Sequence, residues 1–379
     1  MIKSAYIHIP FCEHICHYCD FNKVYLHGQP VEEYLSMLKK EFQLSLREYP
    51  VDSLKTIFVG GGTPTSLDEK QLSFFVDSIQ NELPYDRNAV EFTFEANPGD
   101  LSEEKLAILH QAGVNRLSFG VQSFNEELLK KIGRTHRVED IYASIEKAKK
   151  VGFQNISIDL IYGLPGQTME DFEDTLAKAL ELELEHYSSY SLIVEPKTVF
   201  YNLMQKGRLS LPPQEIEARM YERVMDEMVK HGYIQYEISN YAKPGYESKH
   251  NLTYWNNEEY FGFGAGAHGY TGGKRKANYG PLKKYISPLQ EGRLPLIETH
   301  EVSKQEKMEE EMFLGLRKME GVSSTSFKEK FGSPLSDIFG QQLIELQKRG
   351  LLEERSGTYL LTRNGKLLGN EVFQSFIAV

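Results

Sequence analysis

The sequence predicts an α/β protein: a partial (β/α)6 barrel of the TIM type, followed by a smaller α+β domain that is winged-helix-like at its end. Three observations carry this. Through the first two thirds of the 379 residues, short β-branched or aromatic runs alternate with amphipathic helical stretches. Such alternation means parallel strands joined by right-handed crossovers. Nearly every strand is followed by a polar or glycine-rich signal, and the carboxyl ends of barrel strands are where ligands gather. From about residue 233 the alternation stops, and after about 303 the pattern turns helical.

Strands are expected at 5–10 (AYIHIP), 55–59, 90–95, 116–121, 155–162 and 187–193. Helices are expected between and after them, at 31–48, 67–82, 102–112, 137–151, 168–183 and 213–231. The first strand leads into a run of cysteines and the second into GGGTPTS. Glu95 and Asn97 close the third, Gln122 and Ser123 follow the fourth, and Asp159 with YGLPGQT closes the fifth. Six units rather than eight leave a barrel open along one side. An open doubly wound sheet is the alternative, and the polar signals after successive strands favour the barrel. The domain reading is a core barrel over 1–235, a Tyr/Gly-rich connecting segment over 236–302, and a helical, winged-helix-like domain over 303–379.

Composition narrows the function classes. Hydrophobic residues make up 40% and charged residues 26%, and no apolar run is long enough to span a bilayer. The first residues, MIKSAYIHIPF, lack the apolar stretch and cleavage site of a secretory signal, so a cytoplasmic location with reduced thiols is expected. A net charge of −11 argues against a nucleic-acid partner. The local exception, Lys274, Arg275 and Lys276 in GGKRKANYG, reads as a solvated turn, with contact to an anionic ligand as the alternative. The stretch after 302 holds eleven Lys and Arg against eleven Asp and Glu, so it lacks the charge of a DNA reader and is expected to pack or dock.

All three cysteines, Cys12, Cys16 and Cys19, fall within eight residues. A disulfide would leave one thiol over and suits a reducing compartment poorly. A structural zinc site needs a fourth ligand, for which His8, His14 and His17 are candidates. An iron–sulfur cluster is the third reading: four-iron clusters usually take four thiolates, so a C-x3-C-x2-C loop leaves one iron for a small chelating cofactor.

C-x3-C-x2-C directly after a first strand, with Tyr18 before the last cysteine, resembles the radical S-adenosylmethionine (SAM) superfamily. The resemblance implies a [4Fe-4S] cluster on Cys12, Cys16 and Cys19, with SAM chelating the open iron. YIHIPFC, GGGTPT, EANPG, GVQSF, IGRTH and IDLIYGLPGQT narrow it to the coproporphyrinogen III dehydrogenase-like group. Carried over by motif, Tyr6, Tyr18, Gly61, Gly62, Thr63, Glu95, Gln122, Arg134 and Asp159 would serve SAM. Carboxylates suit ribose hydroxyls or an ammonium, and an arginine pairs with a carboxylate.

Two features choose within the group. Phe21 stands where the dehydrogenases carry a fourth cysteine, and their N-terminal extension is missing before the first strand. HNLTYW at 250–255 is similar to the H-N-x-x-Y-W motif of the HemW heme-chaperone family, which implies His250 as a heme ligand; an imidazole can ligate heme iron while large rings cover the macrocycle. His268 is read as structural or substrate-facing. The resemblance implies a heme carrier that delivers to heme-requiring proteins, membrane-bound respiratory ones among them. It also implies a cluster that supports dimerisation or transfer, and no catalytic residue is assigned. Oxygen-independent coproporphyrinogen III dehydrogenation, a radical SAM oxidoreductase activity, is the alternative.

Overall fold

The computed structural model describes residues 2–377. They form two compact units: residues up to 227 with 259–300, and 228–258 with those from 301 onward.

The first unit is the partial barrel. Six strands, β1 (Ser4–Ile9), β2 (Thr56–Gly61), β3 (Glu91–Ala96), β4 (Arg116–Gln122), β5 (Ile156–Tyr162) and β6 (His186–Ser191), lie side by side in chain order. Each neighbouring pair is parallel, with Ile7 opposite Val59, Phe94 opposite Leu117 and Ile158 opposite Tyr187. Period-two alternation explains the sequence of each strand. One face is apolar and buried, as with Ile57 and Val59, Phe92 and Phe94, or Leu117 and Phe119. The other is polar: Thr93 and Glu95, Arg116 and Ser118, Ser157 and Asp159.

The crossover helices cover the apolar face. Helix α1 (Val31–Glu48) buries Tyr34, Leu35, Leu38 and Phe42, and α2 (Glu69–Glu82) buries Leu72, Phe75, Val76 and Ile79. Helices α3 (Glu103–Gln111), α5 (Val138–Val151) and α6 (Met169–Glu181) follow the next strands, a short α4 (Glu126–Lys131) precedes α5, and a short α7 (Val199–Gln205) and a longer α8 (Gln214–Lys230) follow β6. Their starts are written locally. Asp68 with Gln71, and Thr168 with Asp171, form reciprocal capping boxes that satisfy the first free N–H groups of α2 and α6. Short α4 was not expected, because six residues are too few to show a helical period.

The barrel does not end at β1. Strand β7 (Tyr260–Phe263) pairs with it in parallel, Ala5 opposite Phe261, and β8 (His268–Thr271), β9 (Lys274–Asn278) and β10 (Leu296–Glu301) extend the sheet outward. The solvated turn expected at 272–280 is therefore a strand from Lys274 onward. Its cations are engaged: Arg275 lies 4.0 Å above the Tyr270 ring, and Lys276 Nζ sits 2.9 Å from Glu48. Helix α10 (Leu282–Gln290) buries Tyr285 and Leu289.

The second unit holds the antiparallel pair Ile234–Glu237 and Asn240–Ala242, helix α9 (Lys249–Trp255), and the winged-helix-like end. Helices α11 (Lys304–Gly315), α12 (Ser324–Phe331) and α13 (Leu335–Lys348) close on Met312, Leu316, Phe327, Phe339 and Leu343. The strands Val322–Ser323, Leu352–Arg355 and Thr358–Leu361 make a small antiparallel sheet. Helix α9 was unexpected: its seven residues, about two turns, are too few to show a period, although Ser248 caps it by accepting from Asn251 N–H at 3.3 Å. Among the described residues no helix is long and apolar enough to cross a membrane.

Candidate cofactor site at the carboxyl ends of the barrel strands

The chain leaves β1 through Pro10 into the cysteine loop, whose two ends are tied together. Phe11–Cys12 runs parallel to Val24–Tyr25, with Val24 N–H donating to Pro10 at 2.8 Å and Leu26 N–H to Cys12 at 2.9 Å. At the tip Cys19 N–H bonds back to Cys16 carbonyl at 3.2 Å, and His17 is held by N–H to Ile132 at 2.9 Å and Nδ1 to Lys131 carbonyl at 2.8 Å. The loop thus presents Cys12, Cys16 and Cys19 to one cavity of about 270 Å³. Cys12 is buried, and the other two are partly so.

The cavity walls come from the strand ends. Gly61, Gly62 and Thr63 of the second loop, Glu95 of β3, Gln122 of β4, Asp159 of β5, and Arg134 and Tyr18 line it together. Of the residues expected to serve SAM, only Tyr6 is not in the lining; its hydroxyl bonds instead to His8 Nδ1 at 2.9 Å. Asn97, Ser118 and Tyr190 line it too and were missed as site residues. The signal was there: Ser118 lies on the same strand face as Gly120 and Gln122, and Asn97 sits one turn of EANPG beyond Glu95.

The glycine shelf has no room for side chains. Gly61 has φ +115°, and a Cβ there would stand 2.5 Å from the His8 ring; a Cβ on Gly62 would meet Phe11 carbonyl oxygen at 2.8 Å and Cys12 Sγ at 2.9 Å. Thr63 Oγ1 donates to Cys12 Sγ at 3.7 Å and accepts from Asn97 Nδ2 at 3.2 Å. Strand β4 ends in a register shift that leaves Gln122 at φ +67°, a conformation non-glycine residues rarely hold outside functional sites.

Arg134 is the fixed charge of the cavity. It donates to Asn97 Oδ1 and, at 2.9 Å, to the Tyr18 hydroxyl, while its buried Nε finds no acceptor among the described residues. Burial weighs against its charge, yet Tyr18, Cys16 and Cys19 together hold the guanidinium protonated. Burial, reinforced by Asp159, pushes the Glu95 carboxyl up to about 8, against the Gly61 N–H it accepts at 3.2 Å. Asp159 is also raised by burial, which its bonds from Ser188 and Ser118 and the charges of Arg116 and Arg134 oppose. Burial pushes the Cys12 thiol up to about 11 and raises Cys19, with Lys23 opposing the latter. Two reluctant carboxyls and two reluctant thiols, Cys12 and Cys19, around one space favour a guest that brings positive charge.

Among the described residues no three His, Cys, Asp or Glu side chains converge on a single ion position. A zinc site requires that convergence, whereas a four-iron cluster takes each thiolate at its own corner. Of the histidines considered as a fourth zinc ligand, His8 has both ring nitrogens engaged, Nε2 with the Asn22 carbonyl at 2.7 Å. His14 lines the cavity.

His250 lies elsewhere, in the second unit. It is buried, and its Nε2 meets the Tyr254 hydroxyl at 2.8 Å, one helical turn on. The rings stand edge to face at 5.0 Å. Trp255 is stacked under Arg317, whose Cζ is 4.3 Å from its ring. His268 is exposed at the start of β8.

A partial barrel whose first loop carries three cysteines over a glycine shelf defines a radical SAM protein. Residues 6–179 match the radical SAM superfamily, and residues 302–368 match the HemN C-terminal domain. The fold is that of coproporphyrinogen III oxidase (HemN) from Escherichia coli, a radical SAM enzyme: the TM-score is 0.87 at 24% identity, over 100% of this chain and 90% of that one. In sequence the chain is 59% identical to the heme chaperone HemW of Bacillus subtilis, over 99% of both. It is 48% identical to the HemW of Lactococcus lactis, over 99% of this chain and 97% of that one, and 34% to that of Escherichia coli, over 99% and 98%. The chain belongs to the heme chaperone HemW family.

Proposed function

We propose that this chain carries a [4Fe-4S] cluster on Cys12, Cys16 and Cys19, binds SAM beside it, and takes up heme for delivery to heme-requiring proteins. The observation that carries the cofactor half is the meeting of three thiols and one unpartnered guanidinium N–H in the same cavity. When bound, the cluster supplies an iron without a protein ligand and an electron for the sulfonium of SAM. The chain's own residues orient and shield. Gly61 and Gly62 offer backbone at close range, Arg134 Nε can donate to a carboxylate, and Glu95 and Asp159 can accept from an ammonium or from ribose hydroxyls. Tyr18 and Asn97 hold Arg134 in its pose.

Phe21 replaces a thiol with an apolar ring at the cavity mouth, 60% exposed. The reading as a chaperone rather than a dehydrogenase rests on the family and on HNLTYW. Heme ligation through His250 Nε2 requires that nitrogen to leave the Tyr254 hydroxyl. Recipients that are membrane-bound respiratory proteins, a cytoplasmic location and a homodimer belong to the same proposal.

Heme titration tests it. Wild type binds heme, and His250→Ala loses at least tenfold in affinity or transfer with its cluster spectrum unchanged. Tyr254→Phe, which removes the hydroxyl that meets Nε2, binds at least as tightly as wild type. Equal heme uptake and transfer by His250→Ala would move the heme site elsewhere. Formation of protoporphyrinogen IX from coproporphyrinogen III, with SAM and a reductant, would make the chain a dehydrogenase.

A further inference from the structure

The cysteine loop is fastened on its far side by a segment some 240 residues later in the chain. Asn22, three residues beyond Cys19, donates Nδ2 to Ala265 carbonyl at 2.8 Å and to Gly280 carbonyl at 3.1 Å. Its own carbonyl meets His8 Nε2 at 2.7 Å. The turn that receives it, Gly264 to Gly266, fits no side chain. Gly264 has φ +99° with a Cβ position 2.5 Å from His8 carbonyl oxygen, and Gly266 has φ +77° with one 2.7 Å from Asn22 Cβ.

The turn is in turn anchored to α1. Gly264 N–H donates to Glu41 at 2.8 Å, Ala265 N–H to the Tyr34 hydroxyl at 3.1 Å, and Tyr34 donates to His8 carbonyl at 2.6 Å. Glu41 is wholly buried and also accepts from Asn278 Nδ2 and the Tyr285 hydroxyl. Every partner of this carboxylate is a donor, so it holds the turn as a fixed acceptor. None of Asn22, Gly264, Gly266 and Glu41 lines the cavity.

We infer that Asn22 and the 264–266 turn form a clamp that sets the position of the cysteine loop, with Asn22 as its positioning residue. The consequence for a cluster rests on the function proposed above; the clamp itself concerns the protein alone. An oxygen at the Nδ2 position cannot donate to two carbonyls, so Asn22→Asp opens the clamp with almost no change of shape.

Hydrogen exchange on the cluster-free full chain is the first arm. Asn22→Asp and Gly266→Ala are expected to speed exchange at Val24 and Leu26 on the order of tenfold, the loss of two hydrogen bonds. Gly292→Ala is the control, being equally strained at φ +79° with open space around it, and should leave those amides unchanged. The second arm is anaerobic reconstitution, reading iron release to a chelator and the electron paramagnetic resonance signal of the reduced cluster. Both clamp variants should release iron several-fold faster and show a shifted signal, while Gly292→Ala matches wild type. Unchanged exchange in Asn22→Asp, or equal effects in Gly292→Ala, overturns the clamp. Faster exchange in both clamp variants, together with a wild type that takes up no iron, would uphold the clamp and remove the proposed cofactor instead.

Discussion

At the scale of single residues, the site is a set of side chains held in states they resist. Glu41, outside the cavity lining, shows the same kind of strain most cleanly, because burial pushes its carboxyl from the ordinary 4.5 up to about 7. Between those values the folded chain keeps a proton that the unfolded chain has released. Its contribution to stability is therefore full below about pH 4.5 and declines as pH rises toward 7. Glu41→Gln is expected to flatten that part of the profile relative to wild type, read as Tm against pH; a profile as steep as wild type would contradict it. Gly62 makes a steric prediction. A Cβ 2.9 Å from Cys12 Sγ displaces the thiol, so Gly62→Ala should hold less than half the wild-type iron after reconstitution. The cysteines, glycines, Glu95, Gln122 and Asp159 could be brought to one cavity from the sequence because each lies in or just after a strand and local pattern marks strands, whereas Arg134, between two helices, was marked only by the IGRTH motif. Tyr6 stands outside the cavity lining with its hydroxyl on His8, and motif order does not say on which side of His8 that hydroxyl will rest. Asn22 was not legible at all, since its partners lie in a different stretch of sequence.

At the scale of elements, local signals and tertiary context divide the work. All six barrel strands and their long helices could be read from period and caps. The pieces that escaped are short: α4, α7, α9, α10 and the strands β7 to β10, where too few residues repeat to show a period. The three cations at 274–276 misled for another reason. Their charge suggested solvent, but strand β9 sets the Arg275 guanidinium over the Tyr270 ring and the Lys276 ammonium over the Tyr49 ring. Caps give a measurable case. Thr168→Ala removes the hydroxyl that accepts from Asp171 N–H at 3.1 Å and should cost about 1 kcal/mol in denaturant unfolding, with cluster binding intact. In the second unit, Glu237 is buried and faces Arg317 at 3.6 Å, so Arg317→Met strands a buried carboxylate. A loss of about 3 kcal/mol is expected there, and a neutral result would show that the carboxyl is protonated in the fold.

At the scale of the whole molecule, the barrel fold alone is shared with an enzyme, and so it does not decide between catalysis and carriage. The cavity itself turns on how few thiols the loop offers: three, where a four-iron cluster usually takes four. Everything proposed for the cavity depends on that vacancy. The direct measurement is electron paramagnetic resonance of anaerobically reconstituted, reduced protein, before and after adding SAM. The account predicts a four-iron signal that changes when SAM is added, and no four-iron signal in a Cys12→Ala, Cys16→Ala, Cys19→Ala triple variant. A wild-type signal indifferent to saturating SAM, or protein that binds zinc and no sulfide, would contradict it.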